Sequence, residues 1–139
     1  DTGMDVCLCA LEYGEHMQVR ITYAGARRPL YFVRDATRTL QEIKGDRMHV
    51  GGVKTFDRDF TNHEITLYQG DSIYLTSDGY IDQNDKKRKK FGKARFHKLL
   101  QSIGHFPMEE QYETLMVQLK QHMEETEQRD DILVMGLKL

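Results

Sequence analysis

The hydrophobic period of this chain changes once, near residue 90, and that switch restricts its fold more than any other feature. Before it, apolar residues come in short runs or alternate by two. Val19, Ile21 and Tyr23 share one face within Gln18–Ala24, as on a half-buried strand. Met4–Leu11, Leu30–Val33 after Pro29, the weaker Leu40–Ile43, the pair Ile65 and Leu67, and Ser72–Ser77 read as further strands. Gly14, Lys44-Gly45-Asp46 and Gln69-Gly70-Asp71 punctuate them as turns, and the charged, glycine-bearing stretch Asp46–Asp59 predicts a mobile loop. After residue 90, Phe96, Leu99, Leu100 and Ile103 form one helical stripe, with Gly104 placed to stop it. Pro107 opens a second helix with Glu109 and Glu110 in its first turn, and Met108, Tyr112, Leu115, Met116, Leu119 and Met123 make its stripe. A closing strand, Ile132–Leu139, follows. This order predicts an α+β layered domain. Two helices cannot cover both faces of two sheets, so part of the covering layer is expected outside this chain.

Composition narrows the class. At 139 residues the chain makes one domain, and a net charge of −2 excludes a generally basic nucleic-acid binder. No apolar run approaches the roughly 20 residues of a membrane helix, and the start carries no basic-then-apolar leader. Cys7 and Cys9, two apart, fall on one face of a strand, where a bridge between them would be strained. They are expected as free thiols, which fits a reducing, cytoplasmic compartment. The chain begins at Asp1 and enters a strand almost at once, the pattern expected of a fragment of a longer protein.

Carboxylates punctuate two strand ends. Asp78 directly follows the Ile73–Leu75 run, and Asp130 and Asp131 directly precede Ile132–Met135. If these strands pair antiparallel, the end of one lies about 5 Å from the start of the other. The carboxylates then converge at one rim and repel unless a cation lies between them. Oxygen-only donors favour magnesium or manganese over zinc or copper. The plainer alternative is that Asp78 starts a turn with Gly79 while Asp130 and Asp131 are simply solvated.

The segment Gly70-Asp-Ser-Ile-Tyr-Leu-Thr-Ser-Asp-Gly-Tyr80, then Phe91-Gly92, then Gln128-Arg-Asp-Asp-Ile-Leu-Val134, resembles the metal-dependent PPM protein phosphatases, in their SpoIIE-like bacterial branch. Tyr23-Ala-Gly-Ala-Arg-Arg-Pro-Leu30 is similar to that branch's AGxxxPL segment, and Phe60, Thr61, Glu64 and Ile65 also fit; the resemblance runs from Gly3 to Val134. It implies a layered α/β/β/α sandwich of mostly antiparallel strands, of which this chain is the C-terminal portion. It implies Asp78 and Asp130 as metal ligands, Asp131 as a more variable neighbour, and two Mn²⁺ or Mg²⁺ ions that activate water against a phosphoserine or phosphothreonine. No side-chain nucleophile or general acid is assigned. The resemblance further implies a phosphorylated STAS-type (anti-anti-sigma) substrate and an upstream sensor or receiver module. The family's GGDxxD and DxxGHG motifs, which carry its other metal aspartates, do not occur in this sequence. The isolated chain is therefore expected to be inactive and to hold at most one ion weakly. A non-catalytic regulatory or scaffold domain of the same fold is the alternative.

Charge is uneven. Asp85–Lys98 carries eight basic residues against one acidic, and Glu109–Asp131 eight acidic against two basic. The run Lys86–Lys90 reads either as a solvated mobile loop or as an arm that draws phosphoprotein toward the rim. Nucleic-acid binding lacks the interleaved aromatics it would need, and neither nucleic acid nor membrane is an expected partner. None of the six histidines has paired ligand spacing.

Overall fold

A computed structural model of the chain describes residues 2–52 and 59–139. Among the described residues, seven strands form two antiparallel sheets. The first holds β1 (Val6–Tyr13), β2 (Gln18–Ala26) and β5 (His63–Tyr68), in the order β1-β2-β5. The second holds β3 (Leu30–Val33), β4 (Leu40–Ile43), β6 (Ser72–Thr76) and β7 (Val134–Lys138), in the order β4-β3-β6-β7. The alternation in β2 does what a two-residue period should. Val19, Ile21 and Tyr23 are buried and face the second sheet, meeting Leu30, Phe32, Leu67 and Ile73 in one core. β3 is buried on both faces, because its other face meets the helices.

Those helices are α2 (Lys93–Ile103) and α3 (Met108–Met123), and a single turn, α1 (Gly79–Asp82), precedes them. Phe96 and Leu100 from α2 and Leu119 from α3 pack on Tyr31, Val33, Tyr74, Tyr80 and Phe91 in a second core. Each such side chain contributes about 1.5–3 kcal/mol by leaving water. The expected α+β layering is present as helices, sheet, sheet. Among the described residues no helix covers the outer face of the three-stranded sheet.

Three sequence expectations change in detail. Met4 does not continue β1; it pairs with Val50 through two 2.9 Å backbone bonds. Of the loop expected over Asp46–Asp59, residues 53–58 lie outside the described residues. Asp46 itself is pinned, its N–H donating to Gly25 O at 2.8 Å and its carbonyl accepting from Arg27 N at 2.8 Å. The basic run is a tight turn rather than an unstructured loop. The Asp85 carboxylate accepts the Lys87 and Lys89 N–H groups at 2.8 and 2.9 Å, and Arg88 takes a left-handed φ of 61°. Lys86 and Lys90 turn back to Glu124 and Asp82, which leaves Lys87, Arg88 and Lys89 facing water. Both cysteines are free and half-buried against the inter-sheet core.

Candidate active site

β6 and β7 pair antiparallel, with Leu75 opposite Met135 and Thr76 opposite Val134. The chain leaving β6 therefore runs beside the chain arriving at β7, and Ser77 fastens the two. Its N–H donates to Leu133 O at 2.9 Å; its hydroxyl donates to Asp131 O at 3.0 Å and accepts the Leu133 N–H at 2.9 Å. A side chain thus replaces the next rung of the ladder, which is why β7 begins at Val134 rather than at Ile132. Gly79 completes the approach, since a Cβ there would overlap the carbonyl of Asp131.

This joint presents the aspartates. Asp78 caps α1 with its backbone, its carbonyl accepting the Asp82 N–H at 2.9 Å, while its exposed carboxylate makes no hydrogen bond to a described residue. Asp130 and Asp131 are also exposed, and Asp130 Oδ1 accepts the Asp131 N–H at 2.8 Å. Gln83, only 1% exposed, holds the segment behind them. Its Nε2 donates to Glu127 O at 2.9 Å and to Asn84 O at 3.2 Å, and its Oε1 accepts the Arg129 N–H at 3.0 Å. His122, also buried, sits 2.7 Å from Gln83 O through Nε2 and 3.1 Å from an Arg95 amine through Nδ1. The Arg95 guanidinium in turn lies 4.0 Å over the Phe91 ring.

The two aspartate-bearing segments meet at one rim, as the strand ends predict. Among the described residues no three His, Cys, Asp or Glu side chains gather as a metal site. Exposed carboxylate oxygens suit a hard cation, and two of them make part of a shell rather than a cage.

Asp78 also lies on the wall of a cleft of about 530 Å³. Its other side is the connection that carries the chain from the first sheet to the second, residues 27–29, together with the turn at 44–47. Here Tyr23 donates its hydroxyl to Arg28 O. A Cβ on Gly25 would overlap that same carbonyl and the Tyr23 hydroxyl, and one on Gly45 would crowd Arg28 O. The glycine of the AGxxxPL segment is thus required because its own chain folds back on it within residues 23–28, and Gly45 lets a second segment approach that turn. Burial pushes the Tyr23 hydroxyl well above its ordinary pKa, so it stays a donor. Arg28 reaches Thr76 O at 3.3 Å, two residues before Asp78. Ser77, Gln83 and the Arg27–Arg28 pair have no role in the sequence reading. Ser77 and the arginines stand inside quoted motifs; Gln83 gives no sequence signal, because its partners lie 44 and 46 residues away.

The family model of Stage II sporulation protein E (SpoIIE) matches residues 2–139. The chain belongs to the SpoIIE family. Among solved structures it is similar to the SiaA-PP2C domain of Pseudomonas aeruginosa, with a TM-score of 0.76 and 32% identity over 86% of this chain and 46% of that one. It is also similar to the phosphatase domain of the cell-fate determinant SpoIIE from Bacillus subtilis, with a TM-score of 0.64 at 13% identity over 96% of this chain and 57% of that one. The same domain presoaked with Mn gives a TM-score of 0.59 at 14% identity. No curated protein matches. The chain thus has the layered PPM fold, and it spans about half the length of these solved relatives.

Proposed function

We propose that this chain is the C-terminal portion of a metal-dependent serine/threonine protein phosphatase, in which Asp78 and Asp130 contribute carboxylates to Mn²⁺ or Mg²⁺. The observation that supports this reading is the Ser77-fastened joint, which runs the Asp130–Asp131 segment beside the chain that carries Asp78 to the wall of a cationic cleft. When bound, such ions lower the pKa of coordinated water and offset the negative charge gathering on the phosphoryl oxygens. Asp78, whose carboxylate makes no hydrogen bond to a described residue, keeps both oxygens for a cation. Gln83 and Ser77 hold the Asp130 segment from behind, so the carboxylates need little reorganisation. Arg28, beside the end of β6, places a fixed positive charge where a phosphate ester would sit. The substrate is read as a phosphorylated STAS-type regulatory protein in the cytoplasm, under an upstream sensor or receiver module; family membership supports both readings.

A complete protein carrying this chain should hydrolyse a phosphoserine protein in Mn²⁺, and Asp78→Asn should cut the rate by about 10²-fold or more, the scale of a lost metal contact. Equal rates would sink the metal assignment. That no three such side chains gather among the described residues favours a second reading, a regulatory or scaffold domain that keeps the fold. That reading wins if the complete protein binds phosphoprotein and never turns it over.

A further inference from the structure

The cleft beside Asp78 is larger than a phosphoryl group needs, and its charge is unbalanced. Its lining holds Arg27, Arg28, Lys44, Arg47 and Lys93 against Glu42, Asp46 and Asp78. Glu42 is already met by Lys93 at 2.9 Å and by His97 at 3.5 Å. The Asp46 carboxylate is held by the Thr61 N–H and hydroxyl at 2.7 and 3.0 Å. Lys44 and Arg47 are exposed and make no ion pair with any described residue, and the Arg27 guanidinium meets the His49 ring at 2.7 Å, whose other nitrogen lies 2.8 Å from the Asp5 carboxylate. With Lys93 paired to Glu42, four cations, Arg27, Arg28, Lys44 and Arg47, stand against the two carboxylates of Asp46 and Asp78, along a wall that starts at Arg28, by the end of β6, and continues to the 44–47 turn.

The wall is also stiff. Arg27 is held at a left-handed φ of 60°, and the paired backbone bonds between Asp46 and residues 25 and 27 lock the two turns together. A surface ordered in advance gives up little entropy on binding. A phosphoserine placed at Asp78 would have its neighbouring residues lying along these cations. We propose that Arg27, Lys44 and Arg47 form a specificity surface for acidic residues flanking the phosphorylated residue of the substrate protein. This rests on the phosphatase reading and names the substrate class for it.

The test uses the complete phosphatase in Mn²⁺ and three substrates. They are a phosphoserine peptide flanked by Asp and Glu, the same peptide with neutral flanks, and p-nitrophenyl phosphate, which has no flanks. The acidic peptide should exceed the neutral one in kcat/KM by about tenfold, the combined effect of two partly exposed charge pairs. The difference should lie in KM and shrink as salt rises. Lys44→Glu with Arg47→Glu should bring the ratio to one or below. If that double variant loses activity on all three substrates, Lys44→Gln and Arg47→Gln singly should each lower the ratio about threefold. A wild type without preference for acidic flanks, or a ratio that no variant moves, overturns the proposal while p-nitrophenyl phosphate hydrolysis keeps the phosphatase reading alive. Hydrolysis of none of the three overturns both.

Discussion

The two sheets of this chain are built from similar strands and meet different fates. The four-stranded sheet is sealed on both sides at its central strands β3 and β6: their inner face meets the other sheet, and their outer face is covered by α2 and α3 through Phe96, Leu100 and Leu119. The three-stranded sheet is sealed on its inner face alone. Its outer row includes Leu8, 66% exposed, beside Ala24, then Ala10 beside Thr22, then Glu12 beside Arg20. β7 repeats the contrast within one strand. Val134 packs toward the helices, while Leu133, Met135 and Leu137 face the inter-sheet side, where each is more than 40% exposed. The open side of β7 is apolar, whereas the outer row of the three-stranded sheet is mixed, with Leu8 beside small and charged residues. The rim with Asp78 and the Asp130 segment lies on the sealed sheet, where Ser77 and Gln83 can be held in place by their neighbours.

The contrast can be broken from its sealed side. Phe96→Ala empties a fully buried position and should cost about 3–5 kcal/mol in urea unfolding. A loss below 1 kcal/mol would mean the helical layer is not a core. Next comes the crossover between the sheets, where Gly25→Ala forces a Cβ against Arg28 O and the Tyr23 hydroxyl. It should cost about 1–3 kcal/mol, read as a lower urea midpoint; an unchanged midpoint would show that the 23–28 turn opens freely to admit a Cβ.

His97, a residue of α2 packed 4.9 Å edge-on to Tyr31, sharpens the picture through pH. Burial lowers its pKa, against the opposing pull of Glu42 and with some help from Lys93. The folded state therefore binds fewer protons than the unfolded chain. Stability from this site is full above the unfolded value of about 6.5 and declines as pH falls from there toward the lowered folded value. His97→Gln should flatten that decline between about pH 7 and 5; a steeper fall in the variant would reverse the sign. The smallest effect belongs to the open sheet. Leu8→Ser should shift stability by no more than about 0.5 kcal/mol in this chain, and a loss above 2 kcal/mol would show that the face is covered after all.

Much of the fold is legible in the residue pattern, because burying one face of a strand or helix writes a local period. β2, β3, β4 and α2 fall where Gln18–Ala24, Leu30–Val33, Leu40–Ile43 and the Phe96–Ile103 stripe place them, give or take a few terminal residues. The turn α1 goes unread, since four residues carry no period. The basic run reads as a loop because its order comes from one carboxylate, Asp85, accepting two backbone N–H groups.

By itself the sequence determined the layers, the family and the position of Asp78 just past the end of β6, since all of these depend on near neighbours or on ordered motifs. The register that puts Thr76 opposite Val134, the hydroxyl of Ser77 standing in for a ladder rung, and the clamp of Gln83 on residues 127 and 129 belong to the tertiary structure. So does the cationic wall, assembled from Arg27 and Arg28 on one connection and Lys44 and Arg47 on another. The reason is physical: a polar side chain finds its partner by where backbones cross, and a crossing between distant segments leaves no period along the chain.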